Sequence, residues 1–212
     1  MRLHIVRHGQ TDWNALRRIQ GQLDSELDDT GKQQARDRGA DFIDMDIIAV
    51  YSSSSKRTRQ TTELILGTRT DTVTYRDDLR EVKLGVWQGQ YWADIEKKYP
   101  ELVELHAKGS PLFEVEGAEK SSEVQTRGLG AIESIIAAHE NADKDDNILV
   151  VSHGAIMKTI LAYYLKIPLN ELHSFSSLPN CAHCIIEADG NERKVTTIAS
   201  TPIQETDWAS AL

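Results

Sequence analysis

Two distant segments of this chain end in the same way. Leu3-His4-Ile5-Val6-Arg7-His8-Gly9 and Val150-Val151-Ser152-His153-Gly154 each run from apolar residues into a histidine followed by glycine. A strand that stops so abruptly presents its last side chains at the carboxyl edge of a sheet, where open α/β folds bind ligands. Arg7 adds a planar fork of donors matched to phosphate oxygens. A fixed cation beside His8 also disfavours imidazolium, which keeps the ring neutral and nucleophilic near neutral pH. Asn14 follows closely enough for its amide to reach the same anion. Arg57 comes just after a run of serines at the start of a helical pattern, where helix N–H groups and an arginine together attract phosphate. Glu81 stands in Asp78-Leu79-Arg80-Glu81-Val82-Lys83-Leu84-Gly85. Taken singly, these residues read as a polar turn, structural histidines and solvated charges. The recurrence of strand–His–Gly argues against that plainer reading.

The elements that must position these groups alternate as in an α/β domain. Apolar spacing predicts strands over 3–6, 47–51, 72–75, 147–151, 181–187 and 194–200. It predicts helices over 30–42, 54–66, 122–139 and 155–165, with a capping box from Thr30 to Gln33. Asp189-Gly190-Asn191 is a hairpin turn signal, so the last two strands are expected to pair antiparallel. The segment 85–118 differs: Trp87, Tyr91, Trp92, Tyr99 and Phe113 stand among the breakers Pro100, Gly109, Pro111 and Gly117. It is too long for an ordinary connection. Two readings stay open, a partly helical lid-like insertion over the site or a satellite hydrophobic cluster that only packs. Residues 204–212 read as a loosely held tail.

Composition bounds the function. The chain has 212 residues, 40% hydrophobic and 27% charged, which suits one globular domain over 1–212. The formal charge of −9 argues against nucleic acid as a partner, because that surface would need a basic footprint. It leaves room for a small phosphorylated metabolite, which responds to the local field of a cleft. No apolar run of membrane-spanning length occurs, and Met1-Arg2 leads straight into the first strand, so a cytoplasmic protein with no membrane contact is expected. Both cysteines lie in Cys181-Ala182-His183-Cys184 with no second pair, and on a strand they would face opposite sides, against a metal or redox site. An edge strand able to pair with a second copy leaves a homodimer open.

The chain resembles the histidine phosphatase superfamily, on its phosphoglycerate-mutase-like branch. The matching segments run in family order: Val6-Arg7-His8-Gly9-Gln10-Thr11 with Asn14; Arg18-Ile19-Gln20-Gly21 with Asp24, Leu27 and Gly31; Tyr51-Ser52-Ser53 with Arg57 and Gln60-Thr61. Leu79-Arg80-Glu81 with Gly85-Val86-Trp87-Gln88-Gly89, then Val151-Ser152-His153-Gly154 and Leu178-Pro179-Asn180, complete the series. The expected architecture is a three-layer α/β/α sandwich, with a mostly parallel sheet and an antiparallel edge strand. The resemblance implies that His8 takes the phosphoryl group as phosphohistidine. Arg7, Arg57 and His153, with Asn14 and Gly154, would surround the phosphoryl oxygens. Glu81 would give a proton to the leaving oxygen and later take one from water. Phosphoryl transfer needs charge stabilisation more than covalent chemistry, so such a cage works without metal or cofactor. Gln10, Gln20 and Gly21 are candidates for the rest of the substrate. Arg80 and Lys83, if turned inward, would oppose the acid role of Glu81; they are expected to point outward or toward the substrate tail. Arg17, Arg59 and Lys56 read as surface charge.

Mutases of the family typically follow the glutamate with Arg-His-Tyr-Gly and a longer basic insertion. Here Val82-Lys83-Leu84-Gly85-Val86-Trp87-Gln88-Gly89 resembles the phosphatase members, and Ala155 stands where mutases usually carry Asn. The expectation is therefore a phosphomonoester hydrolase. A mutase, or a catalytically silent phosphate-binding scaffold, is the alternative. Gly117-Ala118-Glu119-Lys120 departs from the family's Gly-Glu-Ser, which leaves Glu119 and Lys120 without a role.

Overall fold

Alternation of apolar side chains makes the central sheet two-faced. In the computed structural model, which describes residues 1–203 apart from 109, 111, 112 and 174, the elements in chain order begin with β1 (Arg2–Arg7), α1 (Asp12–Ala15), α2 (Asp29–Gly39) and β2 (Ile47–Ser53). Then come α3 (Lys56–Leu66), β3 (Val73–Arg76), α4 (Trp92–Lys98), α5 (Pro100–Ala107), α6 (Ser121–Ala138) and β4 (Asn147–Ser152). The chain continues through α7 (Gly154–Tyr164), β5 (His183–Asp189), β6 (Glu192–Ile198) and β7 (Thr201–Pro202). The expected tail, 204–212, lies outside the described residues.

Strand order is β3-β2-β4-β1-β5-β6-β7. The pairs β2–β3, β2–β4 and β1–β4 are parallel, while β1–β5, β5–β6 and β6–β7 are antiparallel. The antiparallel edge expected from the hairpin signal is present, and three strands form it rather than one. Leu3, Ile5, Ile148 and Val150 face a core shared with Ile132, Ile135, Ile156 and Ile160 of α6 and α7. Val6, Leu149 and Val151 face the other way, against Phe42 and Ile65. Helices thus cover both faces, giving the α/β/α layering.

Predicted and observed boundaries mostly agree within two residues, and the exceptions have local causes. The first long helix is capped by Asp28, not Thr30: Asp28 is extended (φ −75°, ψ 179°) and its Oδ1 accepts from Gly31 N at 2.7 Å. A carboxylate at that position also complements the helix dipole. The same helix ends at Gly39, and Ala40–Phe42 tightens into a 3₁₀ turn. The strand predicted from 181 starts at His183, because Cys181 takes a left-handed φ of 54°. Cys184 lies in the core on β5, opposite Ile5 of β1; burial pushes both thiols up to about 11. At the other end of the hairpin, Ala199 and Ser200 (φ 48° and 68°) stop β6 at Ile198, short of the predicted 200.

The aromatic segment builds a third apolar cluster of its own, in which buried Trp87, Ile95 and Val115 pack with Ile19, Trp92, Tyr99 and Phe113. Backbone hydrogen bonds Ile19 N→Gln90 O, Gly89 N→Ile19 O and Trp92 N→Arg17 O, all 2.8–2.9 Å, lay it against residues 17–19.

A buried histidine pair ties the sheet together. His4 Nε2 is 3.0 Å from Asn147 Oδ1, and His4 Nδ1 is 2.9 Å from His183 Nε2. An amide oxygen can only accept, so His4 carries its proton on Nε2 and accepts from His183, with both rings neutral. Burial lowers both pKa values, that of His183 to about 4. The unfolded chain therefore binds protons that the native state refuses once pH drops below about 6.5. Stability is expected to fall from that pH down to about 4, by about 3 kcal/mol for His183 alone. Urea unfolding at pH 7 and pH 5 measures this; the His183→Gln variant should show a shallower pH dependence.

Candidate active site

Strands β1 and β4 are parallel neighbours with Arg7 opposite Ser152, so the residues that follow come out level. His8 N donates to Ser152 O at 3.0 Å, and the rings of His8 and His153 stand 5.3 Å apart between centroids, inclined at 65°. The two strand–His–Gly edges converge. Both rings are buried, His8 at 3% exposure and His153 fully. His8 Nδ1 lies 2.7 Å from Gly9 O. A carbonyl accepts only, so the proton sits on Nδ1 and Nε2 keeps its lone pair. Burial first, then Arg57 and Arg7, holds the His8 pKa well below the usual histidine range. The same causes depress His153, with His8 and Arg80 adding to them. His153 Nε2 is 2.8 Å from Ser53 Oγ at the end of β2, while its Nδ1 is buried without a partner. When Ser53 donates, that Nδ1 carries a proton aimed at whatever occupies the space.

The arginines are fixed by backbone carbonyls rather than by carboxylates. Arg57, on the first turn of α3 and 1% exposed, donates from Nη1 to Leu23 O (2.8 Å) and from Nη2 to Gly21 O (2.7 Å). Its nearest acid, Asp24 Oδ1, is 3.9 Å away. Burial lowers its pKa to about 10, against the opposing charges of Glu81 and Asp24. Arg7 is held by Leu178 O, and its pKa is also lowered by burial. Its Nε lies so near the start of α7 that a Cβ on Gly154 would come within 3.1 Å of it, so the glycine makes room for the guanidinium. The Nε atoms of Arg7, Arg57 and Arg80 are all buried without a hydrogen-bond partner. Unsatisfied buried donors are costly, and several in one place mark a site built for an acceptor.

Glu81 sits at the start of α7. Its Oε1 accepts from Ile156 N and Val82 N (3.1 and 3.0 Å), and Oε2 accepts from Ala155 N (3.1 Å). Its charge raises the pKa of both Arg7 and Arg57, which places it beside the cage. The loop carrying it is clamped from behind. Arg127 on α6 donates to Asp78 O and Arg80 O (2.9 and 2.8 Å) and forms a two-pronged pair with Glu119 at 3.0 Å. Glu119 Oε2 also accepts from Lys83 N at 2.7 Å. Sequence reading left Glu119 without a role and passed over Arg127. The signal was an arginine on the stripe of α6 that buries Val124, Gly128 and Ala131. Arg127→Met should leave KM nearly unchanged and cut kcat by about 10- to 100-fold, because a displacement of about 1 Å at the reacting groups costs that much. Steady-state kinetics on an alkyl phosphate measures the split.

Among the other candidates, Asn14 lies at the site's edge. Its Oδ1 accepts from Thr11 N at 3.1 Å in a capping box, and Asn180 Nδ2 bridges it to His8 O. The Gln10 Nε2 donates to Asp28 Oδ2 at 2.9 Å. Gln20 is buried and committed on both sides, to Thr11 Oγ1 (2.8 Å) and Ser25 Oγ (2.9 Å). Both ends of the Gln20 amide are thus taken up by neighbours within the protein. Gly21 contributes its carbonyl to Arg57 and has φ 55°, with Gln88 Oε1 where a Cβ would be. Arg80 is half-buried and faces the cage, whereas Lys83 is exposed. Arg17, Arg59 and Lys56 are surface residues, Arg59 stacked on Tyr75 at 3.8 Å and Lys56 paired with Glu26.

Comparison with known proteins adds an independent line. The family described as histidine phosphatase superfamily (branch 1) matches residues 3–201. Phosphoserine phosphatase 1 of Hydrogenobacter thermophilus is 29% identical over 189 residues, 89% of this chain and 87% of its own length. A probable phosphoglycerate mutase, GpmB of Erwinia tasmaniensis, is 32% identical over 170 residues, 80% of this chain and 77% of its own. The solved structure of Bacillus stearothermophilus YhfR superposes with a TM-score of 0.87 at 32% identity, covering 95% of this chain and 98% of that one.

Proposed function

We propose, from the premise that this chain belongs to branch 1 of the histidine phosphatase superfamily, that it hydrolyses phosphomonoesters of small metabolites through a phosphohistidine at His8. The observation that carries this reading is the neutral, Nδ1-anchored His8, whose free Nε2 lies beside His153 and among guanidinium donors lacking partners. In the first step the Nε2 lone pair forms a bond to phosphorus as the ester P–O bond breaks, and Glu81 gives its proton to the departing oxygen. Arg7, Arg57 and His153 stabilise the equatorial oxygens, with the Asn14 amide nitrogen as a further donor. In the second step water attacks phosphorus and gives its proton to Glu81. The P–N bond breaks, and inorganic phosphate leaves with His8 restored.

The segment 85–118 acts as a lid-like insertion within one domain; its backbone bonds to Arg17 and Ile19 support this. The free, buried Cys181 and Cys184 suit a cytoplasmic setting. No helix among the described residues is long and apolar enough to cross a membrane. The stretch 82–89 carries Lys83, which is exposed, but not the Arg-His-Tyr-Gly that mutases typically have after the glutamate, which favours hydrolysis over mutase chemistry. Phosphate release from a panel of metabolite monophosphates, run beside a phosphoglycerate mutase assay, tests the reading. Rapid release with slow isomerisation supports it, and the converse makes the protein a mutase. The absence of any acid-labile phosphoenzyme would make it a binding protein.

A further inference from the structure

The carbonyl that anchors His8 belongs to the peptide between Gly9 and Gln10, and that peptide is gripped from its other side as well. Gly9 O takes the His8 Nδ1 proton at 2.7 Å, while the N–H of the same peptide group, on Gln10, donates to Gln34 Oε1 at 3.0 Å. A backbone N–H only donates, so the Gln34 atom facing it is the amide oxygen. An imidazole, a peptide and a side-chain amide thus form one row of hydrogen bonds, all pointing from His8 toward Gln34. The flanking peptides are fixed without Gln34. His8 O accepts from Cys181 N (3.2 Å) and Asn180 Nδ2 (3.1 Å), Gly9 N donates to Thr61 Oγ1 (3.0 Å), and Gln10 O accepts from Asp28 N (3.1 Å). Among the described residues, Gln34 is the one partner besides His8 of the peptide between Gly9 and Gln10. Its helix, α2, packs backbone to backbone on this loop: a Cβ on Gly9 would lie 2.5 Å from Gly31 O, and one on Gly31 only 1.9 Å from Gln10 O. Half-buried Gln34 stands three residues past Gly31, on the same helix face.

Which nitrogen of a neutral imidazole carries the proton is set by the hydrogen bond the other one makes. Gly9 has no side chain to stop the peptide beside it from turning. If the peptide turned, its carbonyl would leave Nδ1, and the ring could carry its proton on Nε2, the atom whose lone pair must reach phosphorus. A peptide whose N–H is engaged is also polarised, which makes its carbonyl the stronger acceptor. We infer that Gln34 is a positioning residue: through the peptide between Gly9 and Gln10 it holds His8 in the Nδ1-protonated tautomer and so keeps Nε2 free to attack. This rests on the phosphohistidine reading and deepens it. Gln34 acts from two hydrogen bonds away, as the carboxylate of a catalytic triad holds its histidine from one.

The test reads the tautomer directly, by NMR of isotope-labelled histidine nitrogens in the free enzyme near neutral pH. His8→Ala identifies the His8 signals among the seven histidines. The unaltered protein should show a protonated Nδ1 and a bare Nε2. Gln34→Met, which keeps the length but not the acceptor, should populate the Nε2-protonated form. It should also slow phosphoenzyme formation from p-nitrophenyl phosphate by about 10- to 100-fold. Affinity for inorganic phosphate should stay within about twofold, because Arg7 and Arg57 keep their carbonyl partners. Gln34→Lys, polar and equally unable to accept, repeats the comparison if the methionine variant does not fold. Gln34→Glu restores an oxygen and should return both the Nδ1-protonated ring and most of the rate. An unchanged tautomer in the methionine and lysine variants would overturn the inference, whatever became of rate or stability. So would an unaltered protein protonated on Nε2, a tautomer shift with no loss of rate, or a glutamate variant that rescues neither. The tautomer measurement needs no substrate. A protein whose tautomer responds as expected but which forms no acid-labile phosphoenzyme would sink only the phosphatase reading.

Discussion

His8→Ala is expected to abolish the acid-labile phosphoenzyme and to lower kcat by about 10⁴-fold or more on every phosphomonoester, since no second nucleophile stands in the cage. His153 does not substitute. Its Nε2 is engaged with Ser53 Oγ, and its ring is inclined at 65° to that of His8 with the centroids 5.3 Å apart. Binding should survive, because both arginines take their places from main-chain carbonyls at Leu178, Gly21 and Leu23 and not from His8. Rapid-quench labelling with a radioactive phosphate ester reads the intermediate, and calorimetry reads the retained affinity for inorganic phosphate. Full loss of phosphate binding together with activity would show instead that His8 is a structural member of the cage.

The second large effect concerns proton transfer. Glu81→Ala is expected to cost about 10²- to 10⁴-fold on alkyl phosphates, whose alkoxide cannot leave unprotonated, and less than about tenfold on p-nitrophenyl phosphate. A plot of rate against leaving-group pKa should therefore steepen in the variant. An equal loss across the series would refute the assignment. Part of any loss will be geometric, since Glu81 also accepts from Val82, Ala155 and Ile156 N–H groups and so helps seat the first turn of α7. Glu81→Gln keeps the shape and one acceptor oxygen. If it reproduces the alanine variant's leaving-group dependence, the missing proton is the cause.

The parts of this molecule that announce themselves in sequence are those set by short-range rules. The helix and strand periods, the Asp189-Gly190-Asn191 turn and the two strand–His–Gly endings are local patterns. Two parallel strands side by side are enough to bring His8 and His153 together. What stayed hidden depends on long-range partners. Gln10 and Gln20 look like ligands in a motif, yet Asp28 holds the amide nitrogen of the first, and Thr11 and Ser25 hold both ends of the second. Arg80 is expected to point outward or toward the substrate tail until the turn at 21–23 is seen to hold it, and the Glu119–Arg127 pair gains meaning only when the loop of Glu81 folds across α6. Cys181 was placed on a strand because alternation cannot reveal a single left-handed residue.

Recessing the nucleophile has a steric consequence. With His8 only 3% accessible, the phosphorus must be delivered into the protein on a slender stem, leading with its terminal oxygens. A phosphodiester, substituted on both sides, has no bare end to offer and is expected to turn over more slowly than the monoester of the same alcohol.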